Sequence, residues 1–395
     1  MASIDFFNRC RRLAAPRTSI GRMKLSDLPT PTALIDEARM ARNIAHMQSR
    51  ISSLGAGLRP HVKTAKSLPV AQAQLAAGAR GITVSTLKEA EVFFDAGIKD
   101  ILYAVCIVAP KLAQARALRE RGCSLKVVVD SVVAAKAIVA TGHAFEVLIE
   151  IDTDGHRAGV KPESDLLLDI GRTLHQGGAV LTGVMTHAGA SYDCRTPEAL
   201  RAMAEQERSR CVRAAERLRA AGLPCPVVSV GSTPTALSAE HLSGVTEVRA
   251  GVYVFHDLVM AGVGVCGLQD IALSVLTTVI GHQAEKGWVL VDAGWMAMSR
   301  DRGTQAQPVD QGYGLVCSED GSPVADLIMS GANQEHGVLS WRDGRADPLL
   351  DQRFPVGTRL RVLPNHACAT AAQFPHYDVL QANGGSTRWP RFYGW

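Results

Sequence analysis

Through the first two thirds of the chain, short β-rich runs alternate with stretches of helical periodicity, and this alternation limits the fold more than any other feature. A strand followed by a helix and then by another strand predicts a parallel sheet with crossover helices. The runs are TALID (32–36), RPHVK (59–63), GITVS (81–85), DILYAV (100–105), LKVVVD (125–130), EVLIEID (146–152), LTGVMTH (181–187), PVVSVGS (226–232) and TEVRAGVY (246–253). The clearest helix takes Thr196 as N-cap and Pro197 in its first turn, sets Leu200, Met203, Cys211, Ala215 and Leu218 in one stripe, and ends at Gly222. Its other face is charged.

A βα barrel closes with about eight strands, one fewer than the runs present, so one run lies outside it. The first is the natural choice, since it precedes a helix beside the N-terminal segment. After about residue 265 the texture changes to β-like runs (IALSVLTTVIGH, GWVLVDAG, TRLRVLPNH) broken by Gly, Asp and Pro turns. The expected fold is therefore α/β: an eight-stranded (β/α)8 TIM-type barrel over 33–265, and a C-terminal β domain over 266–395 that strand 32–36 joins. Residues 1–32 form an N-terminal extension, and MAGVGVCGLQD (260–270) is too apolar to be a free tether. The length of 395 residues suits this division, because a barrel absorbs about 250.

Composition excludes several function classes. With 47% hydrophobic and 20% charged residues the chain is a well-buried globular protein, and no run nears the roughly 18 apolar residues of a membrane span. Its 42 basic and 38 acidic residues leave +4, without basic blocks or interleaved aromatics, so neither nucleic acid nor a membrane is an expected partner. Nine cysteines, scattered and without CxxC spacing, point to a reducing, cytoplasmic compartment. The opening MASIDFFNRCRRLAAPRTSIGRMKL carries four arginines by position 17 but no secretory apolar core; an organelle transit peptide and a true start at Met23 are both open.

Barrel chemistry sits at the C-terminal ends of the strands. RPHVKTAKS ends a run at Lys63, whose amine among apolar neighbours is either a Schiff-base nucleophile or a lysine snorkelling at a strand end; Lys66 reads as solvent-facing. EIDTDGHRAGV holds Arg157 in a glycine-bracketed turn fit for an oxygen anion, or for nothing more than the surface. LTGVMTHAGASY brings out His187 and then Tyr192, a pair that is as readily structural. PVVSVGSTPT places Gly231, Ser232 and Thr233 just past a strand, and VRAGVYVF repeats the theme with Gly251, Val252 and Tyr253, so two adjacent loops can converge on a phosphate. In the β domain, LPNHACAT sets His366 and Cys368 two apart. On an extended segment these face one side and can share a metal, although a buried thiol beside a structural histidine fits the spacing too.

Taken with TPTALIDEARMARNI, ITVSTLKEAE, DAGWMAMSRDRG and GANQEHG, all in the same order, these motifs resemble the alanine-racemase-like (fold type III) pyridoxal-phosphate enzymes, specifically the D-serine dehydratase and D-threonine aldolase group. The resemblance runs from about Leu28 to the C-terminus. It implies that Lys63 holds pyridoxal 5'-phosphate as a Schiff base and takes the α-proton. Arg157 would meet the phenolic oxygen, His187 would flank the ring with Tyr192 close by, and Gly231, Ser232, Thr233, Gly251, Val252 and Tyr253 would hold the phosphate. Arg249 falls where alanine racemases contact the pyridine nitrogen, while a second histidine common in the lysine motif is Ala65 here. His366 and Cys368 match a metal pair, for one divalent ion (Zn, Mn or Mg) acting on a β-hydroxyl.

The implied activity is dehydration of a small D-β-hydroxy amino acid, D-threo-3-hydroxyaspartate or D-serine, to a 2-oxo acid and ammonia, in a homodimer. A retro-aldol cleavage to glycine and an aldehyde is the alternative, with the Cys368 thiolate favouring dehydration. A racemase gives the metal pair no task, and the non-catalytic pyridoxal-phosphate carriers resemble the barrel half only.

Overall fold

A computed structural model describes residues 24–395; the transit-peptide and Met23 alternatives lie outside these residues. Strand β1 (Thr32–Asp36) opens the fold. It is followed by β2 (Gly57–Leu58), β3 (Ile82–Val84), β4 (Asp100–Cys106), β5 (Ser124–Val129), β6 (Glu146–Glu150), β7 (Val180–Met185), β8 (Val227–Val230) and β9 (Glu247–Val248). The last eight form one parallel sheet in the order β2-β9-β8-β7-β6-β5-β4-β3. Its two ends meet at a bridge between His61 and Thr83, where Val62 N–H donates to Thr83 O (2.9 Å) and Thr83 N–H donates to Pro60 O (2.8 Å). The sheet is thus a closed barrel. Leu102, Val128, Leu148 and Met185 pack inside it, while Ile101, Val127, Val129, Val147 and Ile149 face the surrounding helices, which is why these strands read as unbroken apolar runs.

Two of the expected strands are shorter than their runs. In RPHVK the regular strand is only Gly57–Leu58, although Arg59 N–H still donates to Val248 O (2.9 Å) and His61 N–H to Ala250 O (2.7 Å), and the chain turns before Lys63. In TEVRAGVY only Glu247–Val248 is strand, because Gly251 leaves extended geometry (φ −123°, ψ −62°) and opens a short helical turn, Val252–Val254. The two segments press together: a Cβ on Gly251 would lie 3.0 Å from His61 O. The helix Pro197–Ala220 forms as its cap predicts, with Ala199 N–H donating to Thr196 Oγ1 (3.2 Å), but its buried stripe carries Glu207 and leaves Met203 half-buried.

The remaining strands are β10 (Leu273–Gln283), β11 (Trp288–Val291), β12 (Gly314–Ser318), β13 (Pro323–Ala332), β14 (Gly337–Trp341), β15 (Arg359–Pro364), β16 (His376–Leu380) and β17 (Ser386–Pro390). With β1 they make a nine-stranded sheet in the order β11-β14-β13-β12-β15-β10-β1-β16-β17, and because β11 also pairs with β10 the first six of these close on themselves. β1 lies antiparallel to β10 and parallel to β16. Side chains join this sheet to the barrel: Tyr377 Oη–H donates to Ala65 O (2.7 Å) and Ser67 Oγ–H to Pro390 O (2.9 Å). Among the described residues no helix is long and apolar enough to cross a membrane.

Below the seam between β2 and β9 lies the buried guanidinium of Arg59, which donates to Glu247 Oε2 (2.9 Å) and to both oxygens of Asp100 (3.0 and 2.9 Å). Burial alone raises the Asp100 carboxyl, but Arg59 and Lys126 more than offset this and hold it below its ordinary value. Removing Arg59 takes a cation from two carboxylates and leaves Asp100 to Lys126 and Glu247 to the Ser229 hydroxyl, so Arg59→Met is expected to lower stability by about 2 kcal/mol, read from the midpoint of urea unfolding. Since the folded carboxyl of Asp100 is depressed, its contribution is present above about pH 4 and lost as pH falls through the folded value. The variant's midpoint should therefore fall less steeply in acid than the wild type's.

Candidate active site

A cavity of about 790 Å³ opens at the C-terminal ends of the barrel strands, where the second sheet covers the mouth. Lys63 stands in the turn after β2 with its side chain exposed to this space. His61 beside it has a buried Nδ1 without a hydrogen-bond partner, and burial, with the charges of Lys63 and Arg249, keeps its pKa well below the ordinary value. Lys66 departs from its expected place in solvent. It pairs at 3.2 Å with the fully buried carboxylate of Glu89, which draws the amine inward.

His187 Nδ1–H donates to Gly231 O (3.1 Å), which leaves Nε2 as an acceptor. Burial dominates its titration, opposed by that carbonyl and aided by Lys63, and brings its pKa down to about 3; the ring is neutral. Tyr192 lies 6.3 Å from it, centroid to centroid, its phenol pushed above the ordinary value by burial and by the charge on Cys368. Arg157 reaches the same cavity from an exposed loop, its Nη2 3.7 Å from the buried carboxylate of Glu150. Glu150 in turn accepts from Cys106 Sγ (3.1 Å).

On the opposite wall two short helical turns begin side by side, and first-turn N–H groups have no partner within their own helix. Ser232 caps the helix Thr233–Ser238, receiving Thr235 N–H on Oγ (3.2 Å), and Gly251 precedes the turn Val252–Val254. Gly231 holds φ +133°, and a Cβ there would fall 2.3 Å from Arg249 O, so only glycine fits. Gly231, Ser232, Thr233, Gly251 and Val252 all border the cavity. Tyr253 does not: its N–H donates to Thr233 Oγ1 (3.2 Å) and its buried hydroxyl accepts from Gln74 Nε2 (2.9 Å), on the far side of the turn.

The β domain brings His366 and Cys368 to the same space. The segment is not extended throughout, as the spacing suggested. His366 is extended, at φ −132°, but caps a short helix, Ala367–Ala371, whose first turn carries Cys368. His366 Nδ1 is 2.7 Å from Asp301 Oδ2, and Cys368 Sγ is 3.2 Å from Thr64 Oγ1. Burial lowers the imidazole pKa, yet Asp301 and Cys368 raise it to about 11, while His366 and Lys63 pull the thiol down against its own burial. Such a donor set, a thiolate and an imidazole whose Nδ1 is held by a carboxylate, suits a divalent ion bound through Nε2 and sulfur. Among the described residues no three His, Cys, Asp or Glu side chains group to hold a metal, so further ligands to such an ion would be water or substrate.

Three acids that the sequence reading passed over shape the site. Asp301 orients His366. Asp257 accepts from Ala367 N–H and Met260 N–H (both 2.9 Å), and burial pushes its carboxyl up to about 6. Buried Glu207 accepts from Ala188 N–H (2.9 Å) and Gly231 N–H (3.1 Å), tying the His187 loop to the glycine turn. Asp301 lay within a motif, DAGWMAMSRDRG, that carried the resemblance without a role; nothing in spacing joined it to His366.

Residues 35–258 match the family model of the alanine racemase N-terminal domain, and residues 272–380 that of a putative serine dehydratase domain. The chain is 65% identical to the D-threo-3-hydroxyaspartate dehydratase of Delftia sp. (strain HT23), covering 94% of this chain and 99% of that protein. It is 31% identical to the D-serine dehydratase of Dictyostelium discoideum (90% and 94% covered) and 29% identical to a D-threonine aldolase of Arthrobacter sp. (91% and 91%). Among solved structures, a metal-free cysteine-to-alanine variant of D-threo-3-hydroxyaspartate dehydratase superposes with a TM-score of 0.94 at 64% identity, covering 95% of this chain and 100% of that one.

Because the Tyr253 hydroxyl bonds Gln74 outside the cavity, Tyr253→Phe is expected to leave the affinity for a phosphate-bearing ligand within about twofold while costing about 1 kcal/mol of stability through the stranded Gln74 amide. Equilibrium binding of pyridoxal phosphate and urea unfolding of the same variant check the two halves separately.

Proposed function

Since the chain belongs to the D-serine dehydratase and D-threonine aldolase group of the alanine-racemase-like family, we propose that it removes water from a D-configured β-hydroxy amino acid, with D-threo-3-hydroxyaspartate the leading substrate and D-serine the second. The observation that carries this reading is the convergence on one cavity of Lys63, from the barrel, and His366 and Cys368, from the second sheet. Pyridoxal 5'-phosphate would be held by Lys63, Arg157 and the turns at Gly231–Thr233 and Gly251–Val252; an ion, Zn, Mn or Mg, by His366 and Cys368. Once bound, the first supplies an electron sink at the α-carbon and the second a Lewis acid for the departing hydroxide.

The protein's own groups do the rest. Lys63 Nζ reaches into the cavity and takes the α-proton, and the neutral imidazoles of His61 and His187 add no positive charge beside it. Tyr192 keeps its proton. Asp301 holds the Nδ1 side of His366, and Thr64 steadies the Cys368 sulfur, so both donors point one way. The sulfur donor favours dehydration over retro-aldol cleavage, which remains the competing reaction.

A screen of D-serine, D-threonine and both 3-hydroxyaspartate diastereomers is expected to give a 2-oxo acid and ammonia. Glycine and an aldehyde as the main products would overturn the reading. Lys63→Ala should lose turnover and the visible absorbance of covalently held cofactor together. Chelation, or Cys368→Ala, should silence elimination while leaving that absorbance and the melting temperature nearly unchanged; elimination at full rate in the chelated enzyme would remove the metal from the mechanism.

A further inference from the structure

The carbon that bears the hydroxyl in 3-hydroxyaspartate also bears a carboxylate, and in D-serine it bears none. Some group must read that second charge if the two are to be told apart, and the cavity is already lined by Glu150, Asp193, Asp257 and Asp301, which repel it. The cations there, histidines aside, are Lys63, Arg157, Arg195 and Arg249. Lys63 and Arg157 serve the cofactor in the reading above, on which this inference rests. Arg249 is committed below the floor: Nη1 donates to Ser229 Oγ (2.6 Å) and Nη2 to Thr186 O (2.5 Å), with the residue 4% exposed.

Arg195 is left. Its Nη1 donates to Tyr192 O (2.7 Å) and Cys194 O (3.1 Å), which fixes the plane of the guanidinium. Among the described residues its Nη2 finds as a partner only the exposed carboxylate of Asp193 at 3.8 Å, outside hydrogen-bond reach, although the Arg195 side chain is itself only 29% exposed. The turn that precedes it, Gly189–Asp193, packs against the helix Leu258–Val263. Asp257 caps that helix and holds Ala367 N–H, so Arg195 and the His366–Cys368 turn are set around one rim. A pre-oriented planar fork at partial burial is the donor that reads a carboxylate by two parallel bonds.

We propose that Arg195 is a specificity-determining residue that binds the β-carboxylate of the substrate and so selects dicarboxylic β-hydroxy amino acids over D-serine. In Arg195→Gln the ratio of kcat/KM for D-threo-3-hydroxyaspartate to that for D-serine is expected to fall roughly 30- to 100-fold, with partial recovery of the ratio in Arg195→Lys. If Arg195 merely props Tyr192 in place, both substrates lose together and the ratio stays put, which overturns the proposal; so does a wild-type enzyme that prefers D-serine. Calorimetric titration of the holoenzyme with D-aspartate and D-alanine, which differ only in the β-carboxylate and have no hydroxyl to eliminate, gives a second readout. The wild type should prefer D-aspartate and Arg195→Gln should not. Absence of any dehydratase activity would defeat the proposed function, whereas equal binding of the two ligands by the wild type would defeat the role of Arg195.

Discussion

The relation between the two sheets hangs on the carboxylate of Asp257. One oxygen accepts Met260 N–H and starts the helix Leu258–Val263; the other accepts Ala367 N–H, at the first helical residue of the turn that carries His366 and Cys368. A buried acid with two backbone donors has little freedom, and it costs a great deal to leave unpaired. With Tyr377 on Ala65 and Ser67 on Pro390, that side chain holds the His366–Cys368 turn over Lys63, where groups from opposite sheets can work on neighbouring atoms of one small molecule.

Around it the cavity separates charges by environment. His61 and His187 are stripped of their protons by burial, while His366, which is less enclosed, is charged through Asp301 and Cys368. Of the imidazoles that line this space, two are thus neutral rings near the lysine and a third shares its proton with a thiol. Glu207 belongs to the same scheme, since it is a buried acid that ties the loop bearing His187 to the glycine turn.

Most of the barrel was legible in the chain because parallel strands are buried on both faces and leave apolar runs that no loop imitates. The ends of those runs were less legible. RPHVK and TEVRAGVY hold regular strand over two residues each, and their last mutual bond, His61 N–H to Ala250 O, comes just before the chain turns at Gly251 and ahead of Lys63. Residues that chain-local logic can weigh, such as Lys63 at a strand end or His366 and Cys368 two apart, are gathered at one cavity. Those defined by a distant partner were not: Asp301 matters through His366, and Lys66 turns inward for Glu89. Tyr253 misled for a related reason, since its backbone belongs to the cavity turn while its side chain answers to Gln74.

The placement of β1 bears on how such a molecule is made. Thr32 pairs with Leu276 and Leu34 with Asp378, so the first strand of the chain is seated between two of its later ones. During synthesis the barrel strands have all their partners by β9 and β1 gains β10 soon after, but the other edge of β1 stays open until β16, when nearly the whole chain has emerged. An apolar edge left open for that long invites a wrong partner. Assembly of the mouth of the barrel is thereby tied to completion of the polypeptide, and a ribosome that stops early releases a barrel with its lysine in place and its lid unformed.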